Sequence, residues 1–327
     1  ADAFGAPARR RDTLQVVTNA VVEKVTFDGK RATGLRYCVG DQSFDVAAGR
    51  EVILCAGAVN SPKLLQLSGV ASAGLLRGLG IAVHHDLPEV GQGLQDHLAI
   101  SHLFRATAPT LNNTLGRFLP RMLAGLRYVA TRRGPLAVPV NQVGGYVRSR
   151  PEYARPDMQI YCNPLSYQSG ADGKPVPDHA PGYLLSAQLC RPDSRGEIMI
   201  RSADPRDAPL IRANSLATEH DRDGARRAIE VIDRLAATPS LSTRTSRRLV
   251  PDPAITDRDD LMDDFRARAS TVFHPTSTCR MGRTAKDSVL DGRLRVHGVT
   301  GLRVVDSSAF PAVTSGNTNR LLYTSPS

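Results

Sequence analysis

The residues best equipped for chemistry lie close to the C-terminal end. His274 opens the run HPTSTCRMG, and Asn317 sits in the polar turn that closes LRVHGVTGLRVVDSSAFPAVTSGNTN. A neutral imidazole, with an unperturbed pKa of about 6.5, accepts a hydroxyl proton near neutral pH. An asparagine amide can hydrogen-bond the same oxygen but cannot take its proton. The pair suits removal of a hydroxyl proton while a hydride leaves the adjacent carbon. No side chain accepts that hydride, so a cofactor must. A lone histidine is more often structural than catalytic. Three features point the other way here: Pro275 opens a turn at the end of a helical run, small residues follow, and Asn317 lies in a second glycine-containing turn.

Rival chemistries have less behind them. A serine hydrolase wants a G-x-S-x-G elbow, and none is present. Cys279, five residues from His274, reads as a small buried hydrophobe rather than a nucleophile. His84, His85 and His97 share a loop-rich region without metal-ligand spacing, so no metal site is expected. Gly91-x-Gly93 has the spacing of part of a dinucleotide loop, but the third glycine is missing, no buried strand precedes it and no clear helix follows, so that reading is set aside.

The elements that must position these groups read as follows. Leu14 to Val17 and Ala20 to Phe27 have strand character, and Asp28-Gly29 signals a hairpin into Ala32 to Val39, with Gln42 to Ala47 as a third strand. Glu51 to Cys55 is a short buried strand. It enters a glycine turn and a helix, with Asn60 or Ser61 as cap, Pro62 near its start and Gly69 at its end. That is half of a doubly wound nucleotide-binding unit. Residues 112–132 read as helical. From Gln142 to Arg201, the runs GGYV, MQIYC, YLLSAQL and EIMIR form an antiparallel pattern. Glu219 to Ala237 is an amphipathic helix through Ala225, Ala228, Ile229, Ile232 and Leu235, and Thr256 can cap another reaching Ala269. Leu302 to Val305 is a strand that ends on Asp306.

Composition narrows the class. The 327 residues carry a net charge of +10, mostly from arginines scattered along the chain. Nucleic-acid binders gather charge into patches interleaved with aromatics; here aromatics are 5% and tryptophan is absent, so nucleic acid is not an expected partner. Five well-separated cysteines without a C-x-x-C pair argue against a disulfide framework and suit a reducing, cytoplasmic location. No window has the length of a membrane span.

Several segments together resemble the glucose-methanol-choline (GMC) oxidoreductases, in particular the bacterial choline-dehydrogenase-like members. GAVNSPKLLQLSGV (Gly57 to Val70) looks like a family signature, and VGQGLQDHL like the segment after it. SRGEIMIRSADPRDAPLI resembles the start of the family's C-terminal region. HPTSTCRMG and GLRVVDSSAFPAVTSGNTN resemble its end, with Ser277 where a small glycine is more usual. The resemblance implies an FAD-dependent flavoprotein that oxidises a small-molecule alcohol, with His274 as proton acceptor and Asn317 as the second active-site residue. It implies cofactor contacts at Val22, Asp306, Ser307, Asn317, Thr318 and Asn319. The implied fold class is α/β (α+β overall), a partial FAD-binding Rossmann-like domain with an inserted antiparallel-sheet-plus-helices substrate domain. The expected divisions are 1–99 and 271–327 for the FAD-binding part and 100–270 for the substrate part. The family's opening G-x-G-x-x-G turn is not found, so the chain is expected to match the C-terminal three-fifths of a family member. An inactive truncated remnant of such an enzyme is the alternative reading.

Overall fold

The computed structural model describes residues 5–139, 141–170 and 174–318. It divides into two compact units. The first takes the residues up to Leu94, Gly196–Ala213 and Pro275–Ala312; the second takes Gln95–Arg195, Asn214–His274 and the residues from Val313.

In the first unit, β1 (Ala20–Asp28), β2 (Arg31–Val39) and β3 (Gln42–Ala47) form an antiparallel meander. The two-residue turn Gly29-Lys30 joins β1 to β2, with Gly29 at φ +54° as such a turn requires. The Leu14 to Val17 run is not a strand: those side chains are exposed and the backbone has no ladder partner. β4 (Val52–Leu54) pairs in parallel with the strand Leu302–Val304 and leads into helix α1 (Gly57–Leu67). Val52, Leu54, Leu64, Leu65, Leu302 and Val304 share one buried cluster.

α1 departs from expectation at its start. It begins at Gly57, so Pro62 lies inside the helix and neither Asn60 nor Ser61 is its cap. An interior proline leaves the carbonyl four residues back without its usual N–H. Here that carbonyl, on Ala58, accepts the Thr278 hydroxyl instead at 2.6 Å. Gly69 does end the helix, at φ +77°, and a Cβ there would stand 2.3 Å from the Ala82 carbonyl oxygen. Buried Gln66 accepts from Ile200 N–H and donates to the carbonyls of Val90 and Ile198, tying α1 to its surroundings. Gly91 is a packing residue: its Cβ would fall 2.1 Å from the Ile198 carbonyl oxygen.

The second unit is built on an antiparallel sheet ordered Thr245–Val250, Leu98–Ala106, Gly182–Leu189, Met158–Asn163, Val143–Val147. The EIMIR run is not part of it. Its strand, Gly196–Met199, pairs with Gln92–Leu94 and Leu210–Arg212 in the first unit. The region 112–132 is split by Gly116 and Arg117, leaving a short turn of helix and then α2 (Phe118–Thr131). α3 (Glu219–Ala236) packs Ala225, Ala228, Ile229 and Ile232 against Leu185 and Leu189 of the sheet. Each fully buried isoleucine contributes about 2 kcal/mol. The Thr218 hydroxyl caps α3 by accepting from Asp221 N–H. α4 (Arg258–Arg268) is capped by Asp257 rather than Thr256, through a carboxylate that accepts from Asp259 N–H. Among the described residues no helix is long and apolar enough to cross a membrane.

Candidate active site

His274 follows the two-residue strand Ser270–Thr271, which pairs with the start of Leu98–Ala106. It is 5% exposed. Three consecutive residues just before that strand organise its surroundings. The Asp96 carboxylate accepts from the backbone N–H of His97 at 2.7 Å, from that of His274 at 2.9 Å, and from the Thr271 hydroxyl. Gln95 donates to the Pro192 carbonyl at 2.7 Å and accepts from Val313 N–H at 2.9 Å, which fixes the segment leading to Asn317. The His97 ring lies edge-on to that of His274, with the two Nδ1 atoms 2.9 Å apart.

This geometry determines the tautomers. His97 Nε2 lies 3.0 Å from the Cys190 carbonyl oxygen, which can only accept. His97 therefore carries its proton on Nε2 and offers a lone pair at Nδ1. His274 must donate from its own Nδ1, which leaves its lone pair on Nε2. Burial pushes His274 below the ordinary imidazole range, and the adjoining His97 ring pushes it further. Burial lowers His97 as well, against the contrary pull of the Cys190 carbonyl. Both rings are thus neutral at pH 7.

Asn317 is exposed, and its Oδ1 accepts from Gln159 Nε2 at 3.0 Å and from the Tyr161 hydroxyl at 3.1 Å. Gln159 and Tyr161 lie two apart on one strand and so share a face. Buried Gln188, directly across the ladder, donates to Gln159 Oε1 at 3.0 Å. With its oxygen held twice, the Asn317 amide presents its NH2 as donor. Thr318 beside it is buried; Asn319 lies outside the described residues.

The other expected site residues belong to the first unit. Val22 sits on β1, an edge strand, at a bulge that leaves Glu23 unpaired. Asp306 follows the strand Leu302–Val304, and its carboxylate is taken up within the protein. One oxygen accepts from Gly57 N–H and the Ser61 hydroxyl, the other from the N–H and hydroxyl of Ser308. It braces the turn between β4 and α1. Ser307 is half-buried, and its carbonyl accepts from Ser277 N–H. Ser277 stands at φ +72°, a conformation glycine adopts freely, which explains why glycine suits this position. Among the described residues no cluster of histidine, cysteine, aspartate or glutamate could hold a metal. The part played by Gln95, Asp96 and His97 is not evident from sequence, where the only signal is a run of three hydrogen-bonding residues before an apolar stretch.

The N-terminal GMC oxidoreductase model matches residues 1–99 and the C-terminal one residues 192–325. The chain is 40% identical over 314 residues to an alcohol dehydrogenase [acceptor] of Pseudomonas putida, covering 94% of this chain and 56% of that protein. It is 38% identical over 314 residues to an oxygen-dependent choline dehydrogenase of Ectopseudomonas mendocina, covering 95% and 55%. Pyridoxine 4-oxidase from Mesorbium loti has a similar structure, with TM-score 0.81 and 26% identity over 97% of this chain and 57% of that one. Formate oxidase from Aspergillus oryzae RIB40 shares the fold, with TM-score 0.89 at 24% identity over 97% and 60%. The chain spans about half the length of the curated relatives it matches. It belongs to the GMC oxidoreductase family, and within it is similar to the alcohol and choline dehydrogenases.

Proposed function

We propose that the chain carries the proton-accepting side of an FAD-dependent oxidoreductase acting on the CH–OH group of a small alcohol. The observation that carries this reading is the contact of the two histidines, Nδ1 to Nδ1 at 2.9 Å, with His97 Nε2 on the Cys190 carbonyl, an arrangement that leaves the His274 lone pair on Nε2. The lone pair on His274 Nε2 takes the hydroxyl proton, and neutrality at pH 7 keeps that lone pair available. The Asn317 NH2 donates to the same oxygen and orients it.

The first unit offers groups that suit FAD. Gly57, at φ +80°, has nothing within 4 Å of where a Cβ would stand, so the β4–α1 turn has open space before it. Ser307 brings a hydroxyl on the half-buried segment after the strand, and the edge strand β1 brings the Val22 backbone for the adenine end. Asp306 holds the turn in shape. When bound, FAD supplies the hydride acceptor that side chains lack. A reducing, cytoplasmic location belongs to the same proposal and rests on the five well-separated cysteines of the sequence, none in a C-x-x-C pair.

The test is to mix the purified chain with FAD and follow flavin absorbance and alcohol-dependent dye reduction. His274→Ala is expected to retain flavin and to lose turnover by about 10²–10⁴-fold. Undiminished turnover in His274→Ala would overturn the assignment. Absence of both flavin and turnover in the wild type would leave a catalytically silent member of the family.

A further inference from the structure

Helix α2, FLPRMLAGLRYVAT, is amphipathic but faces the wrong way for a core helix. Its one buried residue is Ala124, whereas Phe118 is 74%, Leu126 60% and Val129 71% exposed. At about 100° per residue, Phe118, Leu119, Met122, Leu123, Leu126 and Val129 fall within an arc of about 140°, and Ala124 lies roughly opposite. A core helix turns such an arc inward. This one turns it to solvent, and the exposed apolar surface is on the order of 600 Å², at the top of the range for a monomer's largest patch.

Along α2 and at the margins of its arc the charge that this stretch of chain supplies is of one sign. Arg121 and Arg127 flank it on either side, and Arg117, Arg132 and Arg133 stand at its ends, all exposed. From Asp96 to Glu152 the intervening chain has eight arginines and no aspartate or glutamate. A second copy of this face would set arginine against arginine. A bilayer with anionic lipid satisfies both halves of the surface: acyl chains take the apolar arc, while arginines extend along its margins to the headgroups. Fourteen residues make a helix of about 21 Å, too short to span a bilayer and suited to lying in its surface. We propose that α2 docks the chain on a membrane surface that carries anionic lipid.

The test is flotation of the full chain with phosphatidylcholine vesicles, with and without phosphatidylglycerol. The chain is expected to float with the phosphatidylglycerol vesicles and to be released by salt. One arginine near an anionic surface is worth about fivefold in partitioning, so Arg117→Gln/Arg121→Gln/Arg127→Gln should weaken binding about 100-fold. Leu123→Asn/Leu126→Asn changes two exposed positions, leaves the core intact, and should weaken it at least about tenfold. Failure of the wild type to float, or flotation of both variants equal to that of the wild type, overturns the proposal. So does a concentration-dependent dimer that Leu123→Asn/Leu126→Asn abolishes while no vesicle binding is seen, since the face then belongs to a second copy.

Discussion

Replacing Asp306 by asparagine tests whether its carboxylate holds the β4–α1 turn. One oxygen accepts from Gly57 N–H at 2.9 Å and the Ser61 hydroxyl at 2.5 Å; the other accepts from Ser308 N–H at 2.8 Å and its hydroxyl at 2.5 Å. Asparagine keeps one acceptor oxygen and puts an NH2 where the other stood. The Ser61 hydroxyl can rotate to accept from that NH2. The Gly57 N–H cannot, and it loses its acceptor. An unpaired part-buried donor costs about 1–3 kcal/mol, and loss of charge from the surviving bonds adds about 1 kcal/mol. D306N should therefore destabilise the first unit by about 3 kcal/mol, and D306A by about 1–2 kcal/mol more. The assay is pulsed thiol labelling in urea, read residue by residue by mass spectrometry. Cys279 is fully buried and its N–H donates to the Ser308 carbonyl at 2.9 Å, so its labelling reports opening at this turn. Cys190, buried in the second unit, is the internal reference. A D306N labelling midpoint at Cys279 equal to wild type, at unchanged slope, would refute the brace.

Two further outcomes follow from the histidine pair. His97 and His274 both titrate below the ordinary imidazole value of 6.5 in the folded state. The unfolded chain then binds more protons in mildly acidic solution, so this stability is complete above pH 6.5 and is lost as pH falls through the folded values; urea midpoints should drop as the pH is taken below 6.5, and a flat profile would contradict the shifts. His97→Asn keeps an acceptor at the Nδ1 position and His97→Gln does not. His97→Gln should lose about 5–100-fold in turnover while His97→Asn loses much less, as expected for about 1–3 kcal/mol of one buried hydrogen bond; equal losses would point to packing alone.

Much of the fold was legible because its signals are local. Asp28-Gly29 announced the hairpin, and the spacing of Ala225, Ala228, Ile229 and Ile232 announced α3. The strand Leu98–Ala106 was not legible. It is flanked on both sides in its sheet, and Ala99, Ile100, His102, Leu103 and Phe104 are all buried, so the alternation that marks a half-exposed strand is missing. Pro62 misled because the hydroxyl that compensates for it comes from Thr278. The types of residue in the candidate site could be named from the sequence; their pairings could not. His97 meets His274 across 177 positions, Asp96 meets it across 178, and Gln95 meets Val313 across 218. No local pattern encodes contacts of that range. α2 shows the opposite case: its periodicity is plain in the sequence, but only the structure shows that its apolar face points outward.

The proposed proton transfer requires His274 to stand as a neutral base with its lone pair on Nε2. Long-range ¹H–¹⁵N correlation of the histidine rings in the purified chain at pH 7 reads this directly and needs neither cofactor nor substrate. The expected result is a protonated Nδ1 and an unprotonated Nε2 on His274, with the reverse arrangement on His97. A protonated Nε2 on His274, whether as the other tautomer or as an imidazolium, would contradict it.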